Sequence, residues 1–337
     1  MNSLERYLKT IRGEPVDHLA RIPIVMQFAA EHIGSNYAAF ASDYRVLVEA
    51  NIRCAEDFGF DQLSAISDPY RETHGFGAEI EYPPDSVPRC VSLPLKGKDL
   101  TVLKNPDPYT SERMFDRIEA IKLYKEKSQG QYSIMGWVEG PAAEAADLYG
   151  VSEFLTDLML DPDFVEDLLD KCTDTAIVFA KAQLEAGADT IGIGDAIASQ
   201  ISPDIYETLI LPREKKIVDA VKEMGGFVRL HICGDITHLL PGISTLNIDI
   251  LDVDSPVSMK VARETLGNHI VLSGNIDPVN GVFAGSSELI LKNLQDTYRE
   301  VGNPLMINAG CEIPSGTPME NLNALCKPIK WMEQDII

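Results

Sequence analysis

The sharpest chemical signal in this sequence is a histidine and two cysteines: His231 and Cys233, two residues apart, and Cys311, 78 residues further on. In an extended strand, residues i and i+2 point to one face, so His231 and Cys233 can share a single ion. Cys311 sits in a glycine-rich turn, NAGCEIPSGTP, at what should be the matching end of a later strand. Imidazole and thiolate are the ligands that suit zinc. Three protein ligands with a fourth position open is the catalytic rather than the structural arrangement. Asp252 and Glu312 are the candidates for a displaceable fourth ligand, while His238 falls one turn into the following helix, on the surface or behind the ligands. The competing reading of all three residues is buried thiols and a buried imidazole that only pack.

The other cysteines look structural: Cys54, Cys172 and Cys326 fall in helical patterns and Cys90 in a strand or loop. Six cysteines in 337 residues are too sparse for a disulfide framework, which points to free thiols or metal ligands in a reducing compartment.

The triad needs a scaffold that brings distant residues to one point. Eight short β-rich apolar runs recur along the chain: IPIV (22–25), DQLSAIS (61–67), YSIMGWV (132–138), TIGIGD (190–195), FVRLHIC (227–233), DILDVDS (249–255), HIVLSGNI (269–276) and PLMINAGC (304–311). Amphipathic stretches of helical length separate most of them, such as 152–187 and 203–225. This alternation predicts an α/β fold, a single (β/α)₈ TIM barrel occupying 1–337 as one domain. Residues 28–60 predict an N-terminal helical extension, and the Pro-rich segment 76–105 an excursion after the second strand. No G-x-G-x-x-G follows the first strand, which removes the best support for a dinucleotide-binding fold.

A barrel places its chemistry at the C-terminal strand ends. There the sequence puts Asp68 after the second run, Glu139 after the third, Asp195 closing the fourth, and Asp252, Asp254, Asn275 and Asp277 on the sixth and seventh. Asp68, Glu139 and Asp195 are the candidate catalytic carboxyls, suited to orient a substrate or assist proton transfer. Asp195 and Asp277 would equally well cap helices.

Composition narrows the partners. A net charge of −23 repels nucleic acid and anionic lipid. No stretch approaches a membrane span and the N-terminus lacks a signal-peptide core, so a cytoplasmic protein is expected.

The strings RGEPVD (12–17), MGWVEGP (135–141), GADTIGIGDAIAS (187–199), ISPDIY (201–206), HICGD (231–235), SGNIDP (273–278) and GCEIPSGTP (310–318) together resemble the uroporphyrinogen decarboxylase superfamily. Within it they are similar to the zinc-dependent corrinoid-linked methyltransferases. The resemblance implies the barrel fold and zinc on His231, Cys233 and Cys311. It also implies methyl transfer between a small molecule and the cobalt of a corrinoid (cobalamin-type) cofactor on a separate protein, and it is compatible with a homodimer. Asp68 matches the aspartate of the decarboxylases, but their two substrate-binding arginines fall at Met26 and Ala30 in MQFAA (26–30), which argues against a polycarboxylate porphyrinogen. No D-x-H-x-x-G is present to ligate a corrinoid, so any corrinoid must arrive on a partner protein. Glu312 and Pro314, with SDPYRETHGFGA (67–78), are more similar to O-demethylating enzymes, and lead us to expect a methoxylated aromatic donor. The alternative is methylation of a thiol of the coenzyme M type. A zinc- or corrinoid-binding module without turnover is the non-enzymatic alternative.

Overall fold

The computed structural model describes residues 1–333. The apolar runs fold as buried parallel strands, because a sheet covered on both faces leaves no polar side to its strands. In chain order the strands are β1 (Gln62–Ser64), β2 (Glu79–Glu81), β3 (Arg89–Ser92), β4 (Ser133–Glu139), β5 (Thr190–Gly194), β6 (Phe227–His231), β7 (Ile250–Val253), β8 (Val271–Gly274) and β9 (Leu305–Met306). Seven of them form one parallel sheet in the order β1-β4-β5-β6-β7-β8-β9, curled into a TIM-barrel-like wall. β2 and β3 pair separately as an antiparallel hairpin, which is the expected excursion.

The first run, 22–25, does not form a regular strand. Pro23 has no N–H to donate to a ladder. The segment nevertheless bridges the two open edges of the sheet. Ile22 N donates to Ile307 O at 2.8 Å, Asp61 N to Arg21 O at 2.8 Å, and Ile313 N to Ile24 O at 2.9 Å. Beneath the sheet, Tyr7 of helix α1 (Ser3–Ile11) closes the bottom of the barrel against Ile22, Ile250, Val271 and Met306. Its hydroxyl lies 2.7 Å from Thr190 Oγ1.

The expected N-terminal helices are α2 (Gln27–His32), α3 (Tyr37–Ser42) and α4 (Tyr44–Phe58). Asn36 and Asp43 cap the last two by accepting from Ala39 N at 3.0 Å and Arg45 N at 2.9 Å. After β1 come α5 (Arg71–Phe76) and, beyond the hairpin, α6 (Glu112–Ser128). Past β4 the chain forms α7 (Pro141–Tyr149), then α8 (Val151–Leu160) and α9 (Pro162–Ala186). Residues 152–187 read as one helical stretch, but Pro162 starts a new helix because its ring cannot continue the old one. Among the described residues no helix is long and apolar enough to cross a membrane.

Candidate functional site

His231 is the last residue of β6 and points into the barrel; Cys233 lies two residues past the strand, and Cys311 in the bend after β9. The two cysteines are therefore loop residues that follow strands rather than strand residues. They still meet the histidine. His231 Nε2 is 3.0 Å from Cys233 Sγ and 3.6 Å from Cys311 Sγ, and the two sulfurs are 3.3 Å apart. Ligand atoms around a tetrahedral zinc with bonds of about 2.0–2.3 Å stand roughly 3.5–3.8 Å from one another. The three donors fit such an ion after outward shifts of a few tenths of an ångström. Among the described residues this is the group of metal-ligating side chains that converges, and it holds three candidates. The hydrogen bond from Cys233 holds the Cys311 thiol well below the ordinary thiol range, with His231 adding to the effect.

Asp252 is not a fourth ligand. Its carboxylate sits 3.0 Å from His231 Nδ1, on the side of the ring away from the sulfurs. Arg229, two residues before His231 and on the same face of β6, donates from Nε to both carboxylate oxygens at 2.8 and 3.0 Å. Burial opposes the charge on Asp252, but Arg229 and then His231 pull its carboxyl down to about 2. An ionised carboxylate can only accept, so Nδ1 carries a proton and Nε2 is the ring atom that faces the thiols. Glu312 lies on the cavity side and accepts from Gln27 N at 3.2 Å. Burial pushes its carboxyl up to about 7. His238 is turned away, with Nε2 3.0 Å from Ile201 O.

The triad opens onto a cavity of about 180 Å³ walled by Ile24, Met26, Tyr37, Ile66, Trp137 and Val87, the last from the β2–β3 hairpin. Trp137 owes its position to two glycines. A Cβ at Gly192 would stand 2.2 Å from the indole, and one at Gly194 2.7 Å. The TIGIG run thus makes room for the ring, whose centroid lies 6.0 Å from that of His231. Gly194→Ala should displace the indole and cost about 1–3 kcal/mol through overpacking. A lowered denaturation midpoint with altered tryptophan fluorescence is expected, and an unchanged midpoint would contradict this packing.

Asp68 and Glu139 line the same cavity, and each is held from behind by an arginine. Asp68 pairs with Arg113 of α6 and accepts from Ser67 Oγ at 2.6 Å and Tyr70 N at 3.0 Å. Although fully buried, it stays below the ordinary carboxyl range because of Arg113 and then Arg71. Glu139 accepts from Arg71 Nη2 at 2.5 Å and from Trp137 Nε1 at 3.2 Å. Asp195 is brought elsewhere. It does not face the cavity but turns behind the wall, accepting from Ala142 N at 3.3 Å and Ala143 N at 2.6 Å at the start of α7. Asp277 is likewise a cap, accepting from Val279 N and Asn280 N at 2.8 and 2.9 Å.

The sequence reading singles out Glu139 but not Arg71, Glu144 or Asp147 beside it. Burial drives Glu139 and Glu144 well above the ordinary range, with Arg71 opposing it at Glu139, and pushes Asp147 up to about 8. Burial also pushes Asp195, against the α7 amides, to about 7. A carboxyl whose folded-state pKa is raised binds its proton more tightly folded than unfolded. Its contribution is present at low pH and is lost as pH rises from the ordinary carboxyl range through the raised value. Stability should therefore fall between about pH 4 and 8, and Asp147→Asn should flatten that slope. Denaturant midpoints across this range test it; stability rising toward pH 8 would refute it.

The uroporphyrinogen decarboxylase (URO-D) family profile matches residues 2–331. The chain belongs to the uroporphyrinogen decarboxylase family. It is similar to the methylcobamide:CoM methyltransferase MtbA of Methanosarcina mazei, 32% identical over 337 residues and 97% of each chain. It is also 26% identical to the uroporphyrinogen decarboxylase of Crocosphaera subtropica, over 99% of this chain and 97% of that one. Among solved structures, a methyltransferase from Methanosarcina mazei superposes with a TM-score of 0.88 at 26% identity, covering 96% of this chain and 97% of the other.

Proposed function

We propose that this chain is a corrinoid-dependent methyltransferase that moves a methyl group from methylated corrinoid cobalt, carried by a separate protein, to a small thiol. The observation that carries the proposal is the convergence of His231, Cys233 and Cys311 beside a small apolar cavity, on a chain 32% identical to a methylcobamide:CoM methyltransferase. That likeness favours the thiol direction over the methoxylated-aromatic donor suggested by Glu312 and Pro314. A cavity of about 180 Å³ is also far too small for a porphyrinogen.

His231, Cys233 and Cys311 would hold zinc, which when bound keeps an incoming thiol deprotonated at neutral pH. The protein does the rest. Asp252 fixes the imidazole tautomer so that Nε2 can ligate. Ile24, Ile66 and Trp137, each under a tenth exposed, keep water from the reacting sulfur. Asp68, tied to Arg113, and Glu139, tied to Arg71, hold the floor of the cavity rigid. In the transfer the sulfur attacks the methyl carbon, an S–C bond forms and the Co–C bond breaks. The electron pair stays on cobalt as Co(I), and the thiol proton leaves to solvent. Free cysteines throughout the described chain fit a reducing compartment such as the cytoplasm.

The experiment is to mix zinc-loaded protein with methylcobalamin and a panel of thiols, following the visible spectrum for loss of methyl-cobalt and mass spectrometry for the methyl thioether. Thioether formation that depends on the protein is expected. Methyl-cobalt forming instead from Co(I) and a methoxylated aromatic would reverse the direction, and no transfer with either would remove the proposal.

A further inference from the structure

The interior of the barrel is layered. Tyr7, Ile22, Ile250, Val271 and Met306 close its bottom, and Ile24, Ile66 and Trp137 wall the cavity above. A polar belt lies between them. The register pairs His231 with Asp252 and Asp252 with Ser273, which places Ser273 on the inward face; Asn308, two residues past the inward Met306, follows on the same side. Other members of the belt are engaged. Arg229 donates to Asp252, to Gln62 Oε1 and to the Ile22 carbonyl, and Gln62 Nε2 donates to Ser133 Oγ at 3.1 Å. Ser273 and Asn308 are both fully buried, yet Ser273 Oγ, Asn308 Oδ1 and Asn308 Nδ2 find no hydrogen-bond partner among the described residues. Asp252 has capacity to spare beside them. Its Oδ2 accepts from Arg229 Nε and His231 Nδ1, while its Oδ1 accepts only from Arg229 Nε among the described residues.

Buried polar atoms are paired, and where the protein supplies no partner an internal water does, typically through about three hydrogen bonds. We propose that Ser273 and Asn308 bind a water molecule inside the barrel that links them to Asp252 Oδ1, and that Asn308 is thereby a positioning residue for the His231 imidazole. Asn308 Nδ2 donates to the water, the water donates to Asp252 Oδ1 and Ser273 Oγ, and the Ser273 hydroxyl donates to Asn308 Oδ1. Every orphaned atom is then satisfied. Arg229 grips the carboxylate through one nitrogen, and the water adds a second hold on the group that orients the ring. The hydration site stands independently of the methyl-transfer reading; the positioning role rests only on the zinc-binding part of it.

A high-resolution crystal structure of the full-length, zinc-loaded protein should show an ordered water within hydrogen-bond distance of Asn308 Nδ2, Ser273 Oγ and Asp252 Oδ1. Ser273 and Asn308 bonded to each other with no water at that place would overturn the site. Ser273→Ala combined with Asn308→Leu should expel the water, lower zinc affinity about tenfold in chelator competition, and lower the denaturation midpoint of the metal-free form. Asn308→Ser keeps a hydroxyl and leaves room for the water, so it should retain most of the affinity, which a merely space-filling role would not give. A dry interior predicts the opposite for the double variant, because apolar replacements of unpartnered polar groups are neutral or stabilising. An unchanged or raised midpoint would therefore overturn the hydration site, and unchanged zinc affinity the positioning role. The crystallographic test decides the site even if the double variant fails to fold.

Discussion

Replacing Cys311 with serine should strip the protein of its metal. Purified unmodified protein is expected to carry about one zinc per chain, and Cys311→Ser to retain only a small fraction after dialysis against a weak chelator. The reason lies in the chemistry of the donor set. Cys311 is the thiol held lower of the pair, beside Cys233 Sγ and His231 Nε2, and supplies a soft sulfur donor to the third ligand position. A serine hydroxyl is a hard, protonated donor that cannot replace it. With two ligands left, at the end of β6 and just past it, the ion would lose both its third bond and the link between β6 and the segment after β9. Thiol methylation should fall to background in parallel. Metal analysis by mass spectrometry decides the matter: full retention in the serine variant would mean that the ion, if any, sits elsewhere.

The second large effect is expected at Asp252, which touches no substrate. Asp252→Asn removes the charge from a pair in which Arg229 is 1% exposed and Asp252 fully buried at its side chain. Leaving the guanidinium unpaired should cost about 3–5 kcal/mol. Arg229 also donates to Gln62 Oε1 at 2.9 Å and to Ile22 O at 3.2 Å, so the loss would loosen β1 and the closing segment together. Metal affinity should drop about 10–100-fold as the imidazole loses its fixed tautomer. Denaturation of the metal-free form isolates the first effect and chelator competition the second. A variant with an unchanged metal-free midpoint and unchanged affinity would show that Asp252 does neither job. Leucine at 252 with methionine at 229 should recover much of the stability and none of the affinity, because apolar pairs can replace a buried ion pair but cannot orient a ring.

Much of this was legible in the chain. Seven of the eight strand runs, the helical extension and the hairpin excursion follow from local patterning, and the His-x-Cys pair with a remote Cys311 follows from ligand chemistry. Some features were hidden because they depend on contacts far apart in sequence. Asp195 follows β5 directly, and the alternation that turns Gly192 and Gly194 toward Trp137 sets it on the opposite face, with Ile191 and Ile193. Gly140, where a Cβ would stand 2.4 Å from Asp195 Cβ, makes room for the side chain, whose carboxylate accepts from the α7 amides. Glu139 and Asp68 are at the cavity, but the arginines that govern them come from α5 and α6. One signal was available and unused. In FVRLHIC the alternation puts Arg229 on the same inward face as His231, and a charge inside a barrel must find a counter-charge. The strand next along carries Asp252.

The bridging segment at Arg21–Ile24 has a bearing on how the molecule is made. It joins β1 on one side to residues 307 and 313 on the other, so the ring is completed by pieces from opposite ends of the polypeptide. Pairings that distant close slowly, since the intervening chain must be ordered first. Cys311 lies in that last-arriving portion, whereas His231 and Cys233 emerge some 80 residues earlier from the ribosome. A nascent or truncated chain therefore has two donors and no enclosure, and a tightly held ion becomes a mark of complete synthesis. Under the proposed zinc reading, metal acquisition would follow ring closure.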